Sequence, residues 1–233
     1  MTESAPSSST LGKRIDVLIP AFDEAPNVGA VVKAALAAGL GRVLVVDDGS
    51  KDGTSQAAAD AGAEVITLPV NRGKGGALHA GASALDGDVV VMLDADLVGL
   101  RPEHVKALAE PVAVGRADMT RGSFTGGRWA TTTAQHVTPQ LNGQRALART
   151  ALLSVDGLAE SRYGVEVVIT FHASSQAWRC ENVALGGVSH IMKEEKRGFW
   201  RGARVRLRMY RDIATALLHR RRTGVERGGR TWR

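Results

Sequence analysis

Residues 89–96 read VVVMLDAD, a short apolar run that ends in two acidic residues. The same pattern occurs twice before it, where residues 15–19 lead into PAFDE and residues 43–46 lead into DDGS. Short runs rich in β-branched residues are typical of buried strands. Because the carboxyl ends of parallel strands meet at one rim of a sheet, we expect the acidic segments to converge on one ligand site there.

Strand-like and helix-like segments alternate through the first half of the chain. This alternation predicts an α/β fold with a mostly parallel central sheet flanked by helices. The predicted strands cover residues 15–19, 43–46, 64–69 and 88–94. The predicted helices cover residues 28–38, 75–85 and 102–114. A further helix is expected to begin at a cap formed by Ser50, Asp52 or Thr54 and to end near residue 62.

The second half is less regular, and its elements are predicted from shorter patterns. We expect strands at residues 117–124 and 178–185 and a strand-like segment at residues 165–173. A loop rich in glycine and threonine extends to residue 133, and helices are expected at residues 140–153 and 196–222.

The composition is that of an ordinary globular chain. Of the 233 residues, 44% are hydrophobic and 23% are charged. One cysteine, Cys180, excludes an internal disulfide and a cysteine-rich zinc site, which fits a reducing cytoplasm. No apolar run approaches the roughly 20 residues that span a bilayer. The serine-rich residues 1–13 are expected to be a disordered leader.

The charge is concentrated at the C-terminus. The chain carries a net charge of +6, and residues 191–233 contain 14 basic and 4 acidic residues. The predicted helix at residues 196–222 is amphipathic, with a flexible basic tail at 223–233. Its arginines either meet an anionic membrane surface or face water while the apolar line packs on the domain. The basic line consists of Arg197, Arg201, Arg204, Arg208 and Arg211.

Asp94 and Asp96 are the best candidates for a metal site. Carboxylate oxygens suit Mg²⁺ or Mn²⁺, although two aspartates can also simply end a strand in a solvated turn. Residues 71–78, NRGKGGAL, open a helix and offer backbone N–H groups and two cations to a phosphate, or they form a flexible turn. Their spacing does not match a P-loop.

Four segments, IPAFDE, VVDDGS, NRGKGGAL and LDADL, occur in this order between about residues 14 and 102. Together they resemble the nucleotide-sugar domain of family 2 glycosyltransferases, which have the GT-A fold. The resemblance implies a UDP- or GDP-sugar donor whose diphosphate is held through Mg²⁺ or Mn²⁺ by Asp94 and Asp96. The implied donor-binding residues are Pro20, Ala21, Asp23, Glu24, Asp48, Gly49, Lys74, Asp94 and Ala95.

Three later segments, GQRAL at 143–147, YGVE at 163–166 and VSHIMK at 188–193, resemble dolichyl-phosphate mannose synthases and glucosyl-phosphoglycerate synthases. The resemblance implies that His190 is the third metal ligand and that Glu166 lies beside the acceptor. The implied catalytic residues are Asp96, Glu166 and Arg145.

The residues themselves leave alternatives open in this second half. Glu166 either orients an acceptor or pairs with Arg162 or Arg145, and His190 is either a ligand or structural. Arg145 and Arg149, four apart on the predicted helix, either bind an acceptor phosphate or solvate the helix face.

The sequence thus predicts a GT-A glycosyltransferase domain at residues 14–195. We expect a metal-dependent transfer from a nucleotide sugar to a phosphate-bearing acceptor, with a polyprenyl phosphate as the first candidate. The expected location is cytoplasmic, with peripheral contact at the inner face of the membrane. The alternatives are a glucosyl-phosphoglycerate-type synthase, a nucleotidyltransferase and a non-catalytic nucleotide-sugar-binding protein. No nucleic-acid reader motif is present.

Overall fold

The computed structural model describes residues 12–125, 143–162 and 164–190. A seven-stranded sheet with the order β3-β2-β1-β4-β7-β6-β8 forms its centre, beside a two-stranded sheet of β5 and β9. The strands are β1 Ile15–Ala21, β2 Val43–Asp47, β3 Glu64–Thr67, β4 Val89–Met92, β5 Leu97–Val98, β6 Met119–Thr125, β7 Arg145–Ala148, β8 Cys180–Gly186 and β9 Ser189–His190. The helices are α1 Ala25–Ala37, α2 Thr54–Asp60, α3 Gly73–Ala84, α4 Pro102–Ala113, α5 Arg149–Leu153 and α6 Val165–Ser175.

The first four strands of the chain are parallel neighbours in the seven-stranded sheet. Strand β1 pairs with β2 on one side and β4 on the other, so that Ala21 lies opposite Asp47 and Leu18 opposite Met92. All of these strands therefore end at the same rim. The acidic segments that follow them meet there, as the sequence predicts.

Apolar layers cover both faces of the seven-stranded sheet. On one face the layer includes Val31 of α1, Ala58 of α2 and Leu108 of α4. On the other it includes Leu78 of α3, Leu152 of α5 and Ile169 of α6. Strands β1, β2 and β4 are buried on both sides, which explains their nearly continuous apolar sequences.

The elements predicted for the first half are confirmed, with boundaries that differ by a few residues. Strands β6 and β8 are also confirmed near their predicted positions. The predicted amphipathic helix at 196–222, the basic tail, residues 1–11 of the leader and most of the glycine/threonine-rich loop lie outside the described residues. Within the described part of the chain, no helix combines the length and apolarity needed to cross a bilayer.

The helix predicted at residues 140–153 is wrong for residues 143–148 and confirmed for residues 149–153. Residues 145–148 form β7, which pairs antiparallel with β4 and with β6, and only Arg149–Leu153 is helical. Neighbouring Ala146 and Leu147 are both fully buried and pack in opposite apolar layers. Pairing on both edges and burial on both faces outweigh the helix propensity of alanine, leucine and arginine here.

The strand-like assignment of residues 165–173 is also wrong, because Val165–Ser175 is helix α6. Its buried residues, Val165, Ile169 and Ala173, are four apart and form one face of the helix. The β-branched run suggested a strand, but burial of a single helical stripe decides the conformation. The change matters for the site, since Glu166 now lies in the first turn of a helix.

Helix α3 begins at a glycine that allows another segment to approach. Gly73 has a φ of +83°, and a β-carbon there would lie 2.7 Å from the Arg162 Cα. Gly75 is similarly crowded by the Leu158 carbonyl and the Ser161 hydroxyl. The glycines of the NRGKGG segment therefore let residues 158–162 pack against the start of α3.

We predict that Gly73→Ala destabilises the protein more than Gly115→Ala does. Both glycines have a positive φ, at which alanine costs about 1–2 kcal/mol, but a β-carbon at Gly115 would meet no described atom within 4 Å. At Gly73 the clash with Arg162 should add about 1–3 kcal/mol. Urea unfolding of both variants measures the difference, and equal losses would contradict the close approach of residues 158–162.

Candidate active site

Asp94, Asp96 and His190 form a cluster of metal-type ligands at the sheet rim. One ligand atom from each lies within 4.8 Å of the other two. His190 Nδ1 is 3.0 Å from Asp96 Oδ1, and its Nε2 is 3.8 Å from Asp94 Oδ2. The pairing of β5 with β9 creates this proximity, because it sets Leu97 opposite His190. The sequence pattern did not predict that two-stranded sheet.

Two carboxylates and an imidazole form a ligand set that suits Mg²⁺ or Mn²⁺. The His190 ring is held by an edge contact with Phe124, with ring centroids 5.0 Å apart. Burial would lower the pKa of His190, but the hydrogen bond to Asp96 and the charge of Asp94 outweigh burial and raise it. The two carboxylates thus concentrate negative charge beside His190, where a cation would bind.

Lys74 connects this cluster to Glu166. Its Nζ lies 2.5 Å from Asp94 Oδ1 and 2.5 Å from Glu166 Oε1. Burial would raise the pKa of Asp94, but the charges of Lys74 and His190 lower it to about 2. Burial would also lower the pKa of Lys74, yet the two carboxylates raise it. Asp94 and Lys74 are therefore charged at neutral pH in this arrangement.

Residues 143 and 144 shape the same pocket from the start of β7. Gln144 is fully buried and donates from Nε2 to Asp94 Oδ2 at 2.8 Å. A β-carbon at Gly143 would lie 2.5 Å from both Asp94 Oδ2 and Lys74 Nζ, so only glycine leaves room for the ion pair. The sequence analysis assigned no role to either residue, although both belong to the GQRAL segment.

Arg145 is an internal side chain rather than part of an exposed helix face. Its residue is fully buried, and its guanidinium donates to Thr170 Oγ1 at 3.0 Å and to the Glu166 carbonyl at 3.2 Å. Burial lowers the pKa of Arg145 to about 10. The solvated-face alternative is therefore wrong, and any catalytic role of Arg145 remains a prediction.

Arg149 does not share a helix face with Arg145 either. It begins α5 and donates to the carbonyl groups of Gly87 and Ala82 at 3.2 and 3.4 Å. Gly87 lies just before β4, at the opposite end of that strand from Asp94, and Ala82 lies in the last turn of α3. Arg149 therefore ties α5 to α3 and to the segment that leads into β4. Glu166 forms its ion pair with Lys74, a partner that was not among the predicted ones, Arg162 and Arg145.

Asp48 connects the second acidic segment to α3. Its two carboxylate oxygens accept hydrogen bonds from the backbone N–H groups of Arg72 and Gly73, both at 2.7 Å. Burial raises the pKa of Asp48 although these two bonds oppose the rise. The start of α3, a candidate phosphate cradle, thus already binds a carboxylate. The predicted contact of Asp48 with donor nucleoside stays a prediction.

The first two acidic segments are joined to each other by side chains expected to cap α2. Ser50 Oγ accepts from the Asp23 N–H and Thr54 Oγ1 from the Glu24 N–H, both at 2.9 Å. Helix α2 instead begins after Gly53, whose φ is +85°. Asp23 has a φ of +54° and accepts from the Lys51 N–H. These contacts fix the loop after β1 against the loop after β2.

The remaining predicted donor residues also lie along this rim. Pro20 and Ala21 end β1, and Asp48 donates its N–H to the Ala21 carbonyl at 2.8 Å. Gly49, with a φ of +77°, turns the chain close to the backbone of residues 70 and 71. Ala95 is buried between the two aspartates. The structure thus brings every predicted donor-side segment to one end of the sheet.

Comparison with known proteins identifies the family. The family described as glycosyl transferase family 2 matches residues 16–164. Glucosyl-3-phosphoglycerate synthase of Mycolicibacterium paratuberculosis is 37% identical over 114 residues, which cover 45% of this chain and 35% of the relative. Undecaprenyl-phosphate 4-deoxy-4-formamido-L-arabinose transferase of Pseudomonas fluorescens is 34% identical over 112 residues, covering 43% and 33%. The chain thus spans about a third of the length of these curated relatives.

Solved structures extend the likeness to most of the fold. Glucosyl-3-phosphoglycerate synthase from Mycobacterium tuberculosis, in complex with Mn²⁺, UDP and glucosyl-3-phosphoglycerate, has a TM-score of 0.67 and 27% identity. The match covers 82% of this chain and 78% of that one. The complex of the same enzyme with Mn²⁺ and UDP-glucose has a TM-score of 0.67 and 26% identity, covering 82% and 77%.

These similarities confirm the predicted GT-A fold. They also favour a glycosyltransferase over the nucleotidyltransferase alternative, since the family match includes all four segments from which the resemblance was inferred. On the match over residues 16–164, the chain belongs to glycosyl transferase family 2, a family of nucleotide-sugar glycosyltransferases.

Proposed function

We propose that this protein is a metal-dependent glycosyltransferase that moves a sugar from a UDP-sugar to a small phosphorylated acid. The observation that carries the proposal is the cluster of Asp94, Asp96 and His190 beside the Lys74–Glu166 ion pair. It places a cation-binding ligand set next to a carboxylate on a separate helix. The solved neighbours that contain Mn²⁺ and UDP support the choice of metal and nucleotide.

On the donor side, Asp94, Asp96 and His190 would hold Mg²⁺ or Mn²⁺. When bound, the metal supplies a Lewis acid that stabilises the negative charge of the nucleoside diphosphate. Lys74 is a second cation beside Asp94 and would compensate further charge on the leaving diphosphate. The joined loops that contain Asp23, Glu24 and Asp48 would form the wall for the nucleoside.

On the acceptor side, Glu166 is the carboxylate available to orient an attacking hydroxyl. It projects from the first turn of α6, and Lys74 fixes its Oε1 beside Asp94. Arg145 would position it by binding the carbonyl of the same residue. We therefore propose that Arg145 acts on Glu166 and has no direct contact with substrate.

The acceptor proposal rests on similarity. In sequence, the phosphoglycerate enzyme and the undecaprenyl-phosphate transferase match similar shares of this chain, 45% and 43%, but a solved phosphoglycerate enzyme also aligns with 82% of it in structure. We therefore place a phosphoglycerate-type acceptor before the polyprenyl phosphate that the sequence analysis favoured. A polyprenyl phosphate remains the second candidate because of that relative and the basic residues 197–211. Peripheral membrane contact remains a prediction, and both proposed substrates fit a cytoplasmic activity.

We predict that Asp96→Asn removes the Mn²⁺-dependent part of UDP binding. The amide can still bond to His190 but no longer supplies an anionic ligand. The loss in kcat/KM should reach at least about 100-fold, equivalent to about 2.7 kcal/mol of transition-state stabilisation. Calorimetry with UDP, with and without Mn²⁺, and turnover assays measure both effects. Exposed Asp156→Asn is the matched control, and full wild-type activity in excess EDTA would refute the metal role.

We predict that 3-phosphoglycerate supports UDP release from UDP-glucose and Mn²⁺, whereas undecaprenyl phosphate in vesicles does not. Coupled detection of UDP measures both reactions under identical conditions. The opposite result would favour the polyprenyl acceptor and the membrane role of residues 196–222. Donor binding without UDP release for either acceptor would support the nucleotide-sugar-binding protein instead.

A further inference from the structure

A phosphorylated acceptor needs a cation beside Glu166, and several nearby cations are already bound. Lys74 lies between two carboxylates. Arg145 is enclosed and bonded to α6, and Arg162 donates to Asn71 Oδ1 at 3.2 Å. All three already bind protein groups through hydrogen bonds or ion pairs. A better candidate is a cation on the same face of the sheet whose buried N–H donor has no hydrogen-bond partner among the described residues.

Arg121 on β6 meets this condition. It is half-buried, and among the described residues its enclosed Nε has no hydrogen-bond partner. Across the same residues, no carboxylate lies within ion-pair distance of its guanidinium, unlike Arg116 and Arg179 nearby, which pair with Glu181 and Asp118. A buried donor without a partner is unfavourable, so the site is electrostatically incomplete until an acceptor atom arrives.

The sheet places Arg121 directly beside Arg145. Their Cα atoms are cross-strand partners in the antiparallel pairing of β6 with β7, so their side chains lie on the same face. That face is the one covered by α6, because Met119, two residues before Arg121, packs in the apolar layer with Ile169. Arg121 contributes to the low pKa of Arg145, after burial, which is consistent with two guanidinium groups at short range.

The position of Arg121 relative to the candidate site follows from β7. Gln144 binds Asp94 on the donor side, and the next residue, Arg145, binds the Glu166 carbonyl. Strand β6 lies beyond β7 from β4 in the seven-stranded sheet. Arg121 thus lies two strands from β4, on the face of the sheet that α6 covers.

We propose that Arg121 binds the phosphate of the acceptor, with Arg145 reinforcing the positive potential from beneath. The proposal rests on the proposed function and specifies its acceptor subsite. A guanidinium matches the geometry of a phosphate and can bind it with two parallel hydrogen bonds. Arg121 therefore selects phosphorylated acids over their unphosphorylated counterparts.

The test compares wild-type protein with Arg121→Gln and Arg121→Lys. Calorimetric titration with 3-phosphoglycerate, in the presence of UDP and Mn²⁺, should show at least a tenfold weaker affinity for Arg121→Gln. Arg121→Lys should restore part of the affinity, and UDP binding should stay within twofold of wild type for both. Arg179→Gln is the matched control, because Arg179 forms an exposed ion pair with Asp118 beside the same strands.

Steady-state kinetics with glycerate in place of 3-phosphoglycerate separates recognition from structural damage. Arg121→Gln should raise the KM for 3-phosphoglycerate and leave kcat/KM for glycerate unchanged. An equal loss with both acceptors, or a phosphoglycerate affinity within twofold of wild type, would overturn the role of Arg121.

The same measurements distinguish failure of this inference from failure of the proposed function. Wild-type protein that binds no UDP with Mn²⁺ contradicts the proposed function itself. Wild-type protein that binds UDP but not 3-phosphoglycerate overturns the acceptor subsite and leaves the donor assignment standing.

Discussion

The ion pair of Lys74 with Asp94 and Glu166 is the interaction on which the candidate site depends. Asp94 follows β4 and Glu166 begins α6, so the two carboxylates come from parts of the chain 72 residues apart. Both are mostly buried, and two buried carboxylates this close would repel each other without a cation between them. The Lys74 ammonium lies between them and forms an ion pair with each. Lys74 therefore connects the cluster of metal-type ligands to helix α6.

Other features follow from the need to hold Lys74 in place. It lies in the first turn of α3, whose N-terminal N–H groups are bound by Asp48. The glycines around it admit residues 158–162, and Gly143 leaves space above the ion pair. The NRGKGG segment thus resembles a phosphate loop in composition, but its glycines serve close packing and its lysine serves charge balance. The role of the NRGKGG segment depends on its contacts with residues 158–162, Asp94 and Glu166, and the sequence alone does not reveal these contacts.

The first half of the fold was predictable because its signals are local. Strands β1, β2 and β4 are short apolar runs, and acidic residues mark their exits. Residues 145–148 and 165–175 misled the prediction because their conformation is decided elsewhere. β7 is a strand since β4 and β6 supply partners on both edges, and α6 is a helix since only one stripe of it is buried. Neither the strand partners of β7 nor the buried stripe of α6 can be inferred from ten neighbouring residues of sequence.

The candidate site shows the same division between local and distant information. Asp94 and Asp96 were identified from their place after a strand, whereas His190 came only from the family resemblance. The pairing of β5 with β9, which brings His190 to the aspartates, involves two residues per strand and has no sequence signature. Gln144 was passed over because a buried amide acquires its role from the acid it binds, and that acid lies 50 residues away.

Strand β7 explains how the donor and acceptor halves share one short segment. Successive residues of an extended chain point in opposite directions, so neighbouring side chains reach different partners. Gln144 donates to Asp94 of the metal-type cluster, and Arg145 donates to the Glu166 carbonyl in the first turn of α6. β7 also runs antiparallel to its neighbours, which puts the start of the strand, with Gln144 just before it, at the rim where β4 ends. If β7 ran parallel to β4, its start would lie at the opposite end of the sheet. Gln144 and Arg145 would then be too far from the rim to contact Asp94 and the Glu166 carbonyl.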